Sequence, residues 1–218
     1  MSHWHNKLLA IYNTLNDHFG NLHWWPGETP FEIALGAILT QNTNWKNVEI
    51  AITKLKEADL LDPLGLYAAE KRVIAGLIKS SGYYNIKAKR LKDFLHFLKD
   101  EYAGDMDRMF QEDLWPLREK LLDVKGIGEE TADSILLYGG GKPIFVVDAY
   151  TRRILERHDI ISDNWSYTEI QTLFMDNLPP ETSLYNQYHA LLVNTGKYFC
   201  KKKSPACRGC PLEGHMPP

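Results

Sequence analysis

The chain has 218 residues, 44% hydrophobic and 24% charged, which is the composition of one or two globular domains with ample chain for a core. Twenty-five Lys and Arg against 28 Asp and Glu leave a formal charge of −3, a total that advertises neither a nucleic-acid nor a membrane partner. Three cysteines exclude a disulfide scaffold, no apolar run approaches ~18 residues, and the first residues lack the cationic and apolar segments of a leader, so the expectation is a reduced, cytoplasmic protein.

In chain order, Trp4, Leu8, Ile11, Tyr12, Leu15 and Phe19 recur at spacings of three and four and predict a first amphipathic helix, which Gly20 stops. Residues 21–28 read as a loop that carries Trp24, Trp25 and Pro26. Thr29-Pro30-Phe31-Glu32 supplies an N-cap, a proline at N1 and a glutamate at N3. The helix that follows, Phe31 to Leu39, is nearly all apolar and should be deeply buried. Asn44 is placed to cap a helix from Trp45 to Lys56. Val73, Ile74, Leu77 and Ile78 face one way before Ser81-Gly82 ends their helix, and Ile86 to Phe94 is basic and amphipathic.

Leu114 to Val124 is helical, Lys125-Gly126-Ile127-Gly128 breaks it, and Glu129 to Tyr138 resumes with Ala132, Ile135 and Leu136 inward. Gly139 to Pro143 is a second break. Ser166-Tyr167-Thr168-Glu169 is a capping box, and a helix from about Leu184 to Gly196 leads into a cysteine-bearing tail. Phe145-Val146-Val147 is the nearest approach to a strand and is too short to found a sheet. The fold class is all-α, with roughly ten helices.

Two helices joined by Gly126-Ile127-Gly128 form a tight helix-hairpin-helix. Its glycines permit positive φ and close approach of a ligand, and the N–H groups that open the second helix suit a DNA phosphate. Twenty residues after Gly128 stands Asp148, behind three apolar residues and at the head of a helix, where a carboxylate also serves as an N-cap. The hairpin and the aspartate, with Leu39-Thr40-Gln41-Asn42-Thr43, the Ser81–Arg90 block and the cysteine tail in this order, resemble the HhH-GPD superfamily of DNA glycosylases, the endonuclease III relatives. The resemblance covers almost the whole chain.

It implies two helical lobes with a cleft between them, 23–133 as one and 1–22 plus 134–218 as the other. It also implies flipping of a damaged nucleotide out of double-stranded DNA and release of its base by a monomer. In that family Asp148 matches the aspartate that stabilises the cationic sugar and orients or deprotonates the attacking water. Gln41 matches a residue that fills the gap left by the flipped base, and Tyr83 one that wedges into the opposite strand. Lys125, Gly126, Ile127 and Gly128 make up the DNA-binding turn.

Departures refine the subtype. Endonuclease III carries a catalytic lysine just before the threonine of the hairpin, which forms a Schiff base and licenses strand cleavage. Here that position is Glu130, so the resemblance implies a monofunctional enzyme with Glu130 at the base pocket. An adenine-mismatch glycosylase needs a carboxylic acid at the position of Ala37. Trp24-Trp25-Pro26 and Trp45 are similar to the aromatic positions of the 3-methyladenine branch. Indole faces attract a positively charged alkylpurine by roughly 0.5–2 kcal/mol each. Oxidised or deaminated bases, or DNA binding without chemistry, are the rival readings.

Cys200-x6-Cys207-x2-Cys210 repeats three of the four ligands of the family's [4Fe–4S] loop, spacings that suit iron–sulfur or zinc. The fourth position falls on Met216, with His215 beside it as the candidate ligand. Basic residues concentrate at Lys87–Arg90, Arg152-Arg153 and Lys197–Arg208, so one face can be positive, and the resemblance implies nucleoid association if the protein is bacterial.

Overall fold

The computed structural model of the chain describes residues 3–24 and 27–215. Among these, every regular element is helical, and no helix is long and apolar enough to cross a membrane. In order they are α1 (His3–Phe19), α2 (Pro30–Leu39), α3 (Trp45–Glu57), α4 (Pro63–Ala68), α5 (Lys71–Leu77), α6 (Tyr84–Tyr102), α7 (Met106–Phe110) and α8 (Leu114–Asp123). There follow α9 (Glu129–Ser134), α10 (Ala149–Arg157), α11 (Tyr167–Met175) and α12 (Thr182–Tyr198). The predicted caps form as the sequence requires. Thr29 Oγ1 accepts from the Glu32 N–H at 3.1 Å and Asn44 Oδ1 from the Asn47 N–H at 3.1 Å. Ser166 and Glu169 close a reciprocal capping box.

The chain divides into two compact units, Pro26–Lys142 and Met1–Trp25 with Pro143–Pro218. The first extends past the boundary expected at 133. Asp133 lies in its interior, fully buried and paired with Arg118 of α8, and the turns that continue α9 stay with it. Its centre is α2, whose Phe31, Ala34, Leu35, Ala37, Ile38 and Leu39 are all buried. Helices α3, α6 and α9 pack around α2. Beyond α9 the backbone widens into a π turn over Ile135–Gly139, and Gly140 then passes so close to Phe110 that a Cβ there would stand 2.4 Å from the ring.

The other unit is built from α1, α10, α11 and α12. Phe145 stacks on Phe174, with ring centroids 3.8 Å apart, and meets the edges of Tyr185 and Tyr188. This explains the apolar run Phe145–Val147: it is a buried segment without regular secondary structure, and no strand lies beside it among the described residues. Side chains of α11 replace the missing ladder. Gln171 donates to the Phe145 carbonyl at 2.7 Å, and Tyr167 Oη accepts from the Val147 N–H at 3.3 Å. Helices α10 and α12 approach closely because Gly196 leaves room for Tyr150, whose ring carbon would sit 2.3 Å from a Cβ. Tyr188 Oη donates to the Leu8 carbonyl at 2.8 Å and anchors α12 on α1.

Candidate functional site

The unit Pro26–Lys142 carries the hairpin. Arg118 grips Asp133 with two charge-assisted bonds, Nε to Oδ1 at 2.7 Å and Nη2 to Oδ2 at 3.1 Å, and so locks α8 against α9. Gly126 has φ +92°, and Arg90 packs so tightly on it that a Cβ would stand 2.5 Å from Arg90 Cγ. Gly128 differs from expectation. Its φ of −102° and ψ of 179° are extended, and a Cβ there would meet nothing within 4 Å. A side chain at Gly128 would obstruct only something outside the protein. Ile127 is also corrected, since its side chain is buried in the core and its N–H donates to the Val124 carbonyl at 3.0 Å. Lys125, Gly128 and Glu130 are exposed.

Gln41 is clamped to this hairpin. Its Nε2 donates to Thr131 Oγ1 at 2.8 Å and to the Gly126 carbonyl at 3.2 Å, and Arg90 Nη1 donates to its Oε1. A gap-filling role therefore requires Gln41 to exchange these bonds for others. Tyr83 is 70% exposed and sits in the left-handed region at φ 44°, directly before α6. A large exposed aromatic held in a strained backbone suits a wedge.

Lys87, counted with the surface charges from sequence, is buried. Its Nζ donates to the Leu39 carbonyl at 2.7 Å and to the Ser81 carbonyl at 2.6 Å. Burial, then the nearby Arg90 guanidinium, pushes its ammonium down to about 8. One side chain thus fixes the turn that leads to Gln41 and the turn that leads to Tyr83. A periodic signal was available: Lys87 stands four residues before Leu91 and seven before Phe94, on the inward stripe of α6.

Trp45 is half-buried at the first position of α3 in this unit, and Trp24 is half-buried in the other unit. Trp25 and Pro26 lie outside the described residues.

Asp148 belongs to the unit with α10–α12. It is the N-cap of α10, and its Oδ1 accepts from the Thr151 N–H at 2.7 Å. The capping role expected of a helix-head aspartate is therefore real, and it occupies one oxygen. The second oxygen lies 3.7 Å from Nε2 of His189 on α12, in a site where the carboxylate side chain is only 11% exposed and the imidazole 6%. Burial pushes the Asp148 carboxyl up, but His189 and then the Thr151 backbone N–H outweigh it and hold it below the usual carboxylate value. Sequence reading missed His189 because it sits among Tyr188, Ala190, Leu191 and Leu192 and looks like a core residue.

The cysteine tail closes over a cavity of about 120 Å³ in the same unit, bordered by Cys200, Cys207 and Cys210 with Ile154, Phe199 and Leu212. Arg157 steadies the tail through Cys200 Sγ at 3.2 Å and the Lys201 carbonyl at 2.8 Å. Burial, foremost, raises the Cys210 thiol. His215 is corrected as a ligand: its Nε2 is 3.0 Å from Thr14 Oγ1 on α1, and it does not line the cavity. A single zinc ion needs its ligands about 2.0–2.3 Å from one point. Among the described residues no group of three His, Cys, Asp or Glu side chains meets such a requirement. A cluster makes a different demand, one thiolate per iron, and the chain has three cysteines, all of which border this cavity. Lys197, Lys201, Lys202, Lys203 and Arg208 are exposed beside it.

Comparison with known proteins bears on the whole chain. The model described as HhH-GPD superfamily base excision DNA repair protein matches residues 35–180. The DNA repair glycosylase candidate MJ1434 of Methanocaldococcus jannaschii is 45% identical over 208 residues, 94% of each chain. Endonuclease III of Thermotoga maritima is 30% identical over 186 residues, 85% of this chain and 82% of its own. Among solved structures, the H. pylori 3-methyladenine DNA glycosylase MagIII bound to 1,N6-ethenoadenine matches with a TM-score of 0.76 at 30% identity, covering 87% of this chain and 97% of that one. An endonuclease III in non-covalent complex with DNA matches in fold, with a TM-score of 0.83 at 22% identity, over 97% and 94% of the two chains.

Proposed function

The chain belongs to the HhH-GPD superfamily of base excision DNA repair proteins, and from that premise we propose that it is a monofunctional DNA glycosylase, a monomer that binds duplex DNA and releases alkylated purines of the 3-methyladenine kind. The observation that carries this reading is Asp148, a nearly enclosed carboxylate kept ionised by its neighbours. As the C1′–N bond breaks, its electron pair leaves with the base. The Asp148 charge offsets the positive charge that develops on the sugar. Water then adds to C1′ and gives its proton to Asp148. A cationic alkylpurine leaves as a neutral base and needs little acid catalysis.

Glu130 supports the monofunctional part, because a carboxylate cannot form the imine that a lysine would at that position. The alkylpurine part draws on Trp24 and Trp45 as aromatic surfaces for a cationic ring. It also draws on similarity to the H. pylori 3-methyladenine glycosylase, which is bound to a modified adenine. The exposed hairpin backbone at Gly128 is read as the phosphate contact and Tyr83 as the wedge. Cys200, Cys207 and Cys210 would hold a [4Fe–4S] cluster that ties down the tail, and no step of base release runs through it.

Replacing Asp148 with Asn tests the reading. Asn caps helices as well as Asp does, so the fold should persist. Base release from an alkylated duplex should fall by at least about 10²-fold while binding of that duplex is kept. Full activity in Asp148→Asn would remove the role assigned to the carboxylate.

A further inference from the structure

We propose that His189 is the positioning residue for Asp148, holding the carboxylate oxygen that the helix cap leaves over and fixing the plane in which the carboxylate faces the sugar. The proposal rests on the reading of Asp148 as the group that meets the developing charge at C1′. A capping aspartate needs one oxygen for its helix, and Oδ1 serves the Thr151 N–H at 2.7 Å. Left alone, the second oxygen would rotate about that single bond. His189 Nε2 stands 3.7 Å from Oδ2, within ion-pair distance, and both side chains are close to fully enclosed. Enclosure strengthens the interaction and removes competing water.

The placement has a sequence origin. Tyr185, His189, Leu192 and Gly196 recur at spacings of three and four on α12, and Gly196 at the end of that stripe leaves room for Tyr150 of α10. A larger residue at 196 would push α10 away and carry Asp148 out of reach of His189. The charged groups of α10 are turned to other partners. Arg152 of α10 donates to the Trp165 carbonyl at 2.6 Å, and Arg153 donates to the Cys200 carbonyl at 2.8 Å. Tyr167 of α11 takes the Val147 N–H. His189 is the ionisable group that acts most strongly on Asp148, and it lowers the carboxyl. Without it the opposing effect of burial stands, so the carboxyl rises. A catalyst that requires the carboxylate then loses activity at a higher pH than before.

The test compares the full chain with His189→Phe and His189→Gln. Base release is followed against pH, and the Asp148 carboxyl is titrated by carbon NMR, its resonance assigned by its loss in Asp148→Asn. In His189→Phe the acid limb of the kcat profile should move up by roughly one unit or more, with kcat reduced and duplex affinity unchanged. The carboxyl titration should move with it. His189→Gln supplies an N–H donor that cannot ionise, so kcat should recover in part while the limb stays displaced. An unchanged carboxyl titration and an unchanged acid limb in both variants would overturn the proposal. So would a loss of duplex affinity in step with kcat. If His189→Phe fails to fold, His189→Gln carries both readouts. The titration needs no lesion, so a wild-type chain that releases no base defeats the functional reading while the Asp148–His189 pairing is still decided.

Discussion

Lys87 Nζ reaches from the buried face of α6 to the carbonyl of Leu39 at 2.7 Å, at the very end of α2. Its second bond, to Ser81, makes it a bridge between the turns that present Gln41 and Tyr83. A neutral amine still has two N–H groups, so the bridge survives loss of the charge.

That has a consequence for stability against pH. An unfolded lysine titrates near 10.4 and the folded one at about 8, so between these values the unfolded chain holds the extra proton. Stability contributed by Lys87 therefore rises as pH increases from about 8 to about 10.4, by up to about 3 kcal/mol. In Lys87→Met two buried carbonyls lose their donor, at about 1–3 kcal/mol each. Urea unfolding should show the variant less stable throughout, with the deficit larger at pH 9.5 than at pH 7.5. A deficit that shrinks with rising pH would contradict the sign.

The Arg118–Asp133 pair gives a second prediction. Removing one partner strands a charge in the interior, so Arg118→Met should destabilise the chain by about 3–5 kcal/mol. Replacing both, as Arg118→Met with Asp133→Leu, should recover a large part of that loss. Thermal unfolding of the three proteins checks it, and equal loss in the single and double variants would contradict it.

Much of this arrangement could be read before any coordinates. Thr29, Asn44 and Ser166 each precede a helix and each accepts the predicted bond, because N-caps are local and depend on residues three apart. The hairpin was legible from its glycines, though only Gly126 has the positive φ they suggest. Helices α4 and α7, of six and five residues, are too short to show a period. What remained hidden depends on distant neighbours. Lys87 resembled a solvated charge until Leu39 and Ser81 were seen to surround it. His189 resembled core until Asp148 was placed beside it, and His215 resembled a ligand until Thr14 claimed it.

The aromatic reading of the pocket predicts a selective loss. In Trp45→Ala the single-turnover rate on a cationic alkylpurine should fall roughly 2- to 30-fold, the range expected for one cation–π contact. The rate on a neutral modified purine should fall less. Equal losses on both would leave Trp45 as a stacking surface with no preference for charge.

For the cysteine tail, protein purified without oxygen should show broad visible absorbance and about four irons per chain. Cys207→Ser should lose both, and His215→Ala should keep both, because His215 faces Thr14 and not the cavity. A colourless wild-type protein with no iron would end the cluster proposal, and loss of iron in His215→Ala would reinstate that histidine.

The central claim is tested most directly by incubating the protein with duplexes that carry one methylated purine, one uracil or one oxidised pyrimidine, and measuring free base and strand breaks separately. Monofunctional release of alkylpurines gives free methylated purine, an intact strand that breaks only after alkali, and little release from the other two. Strand breaks without alkali, or release confined to uracil or the oxidised pyrimidine, would contradict it.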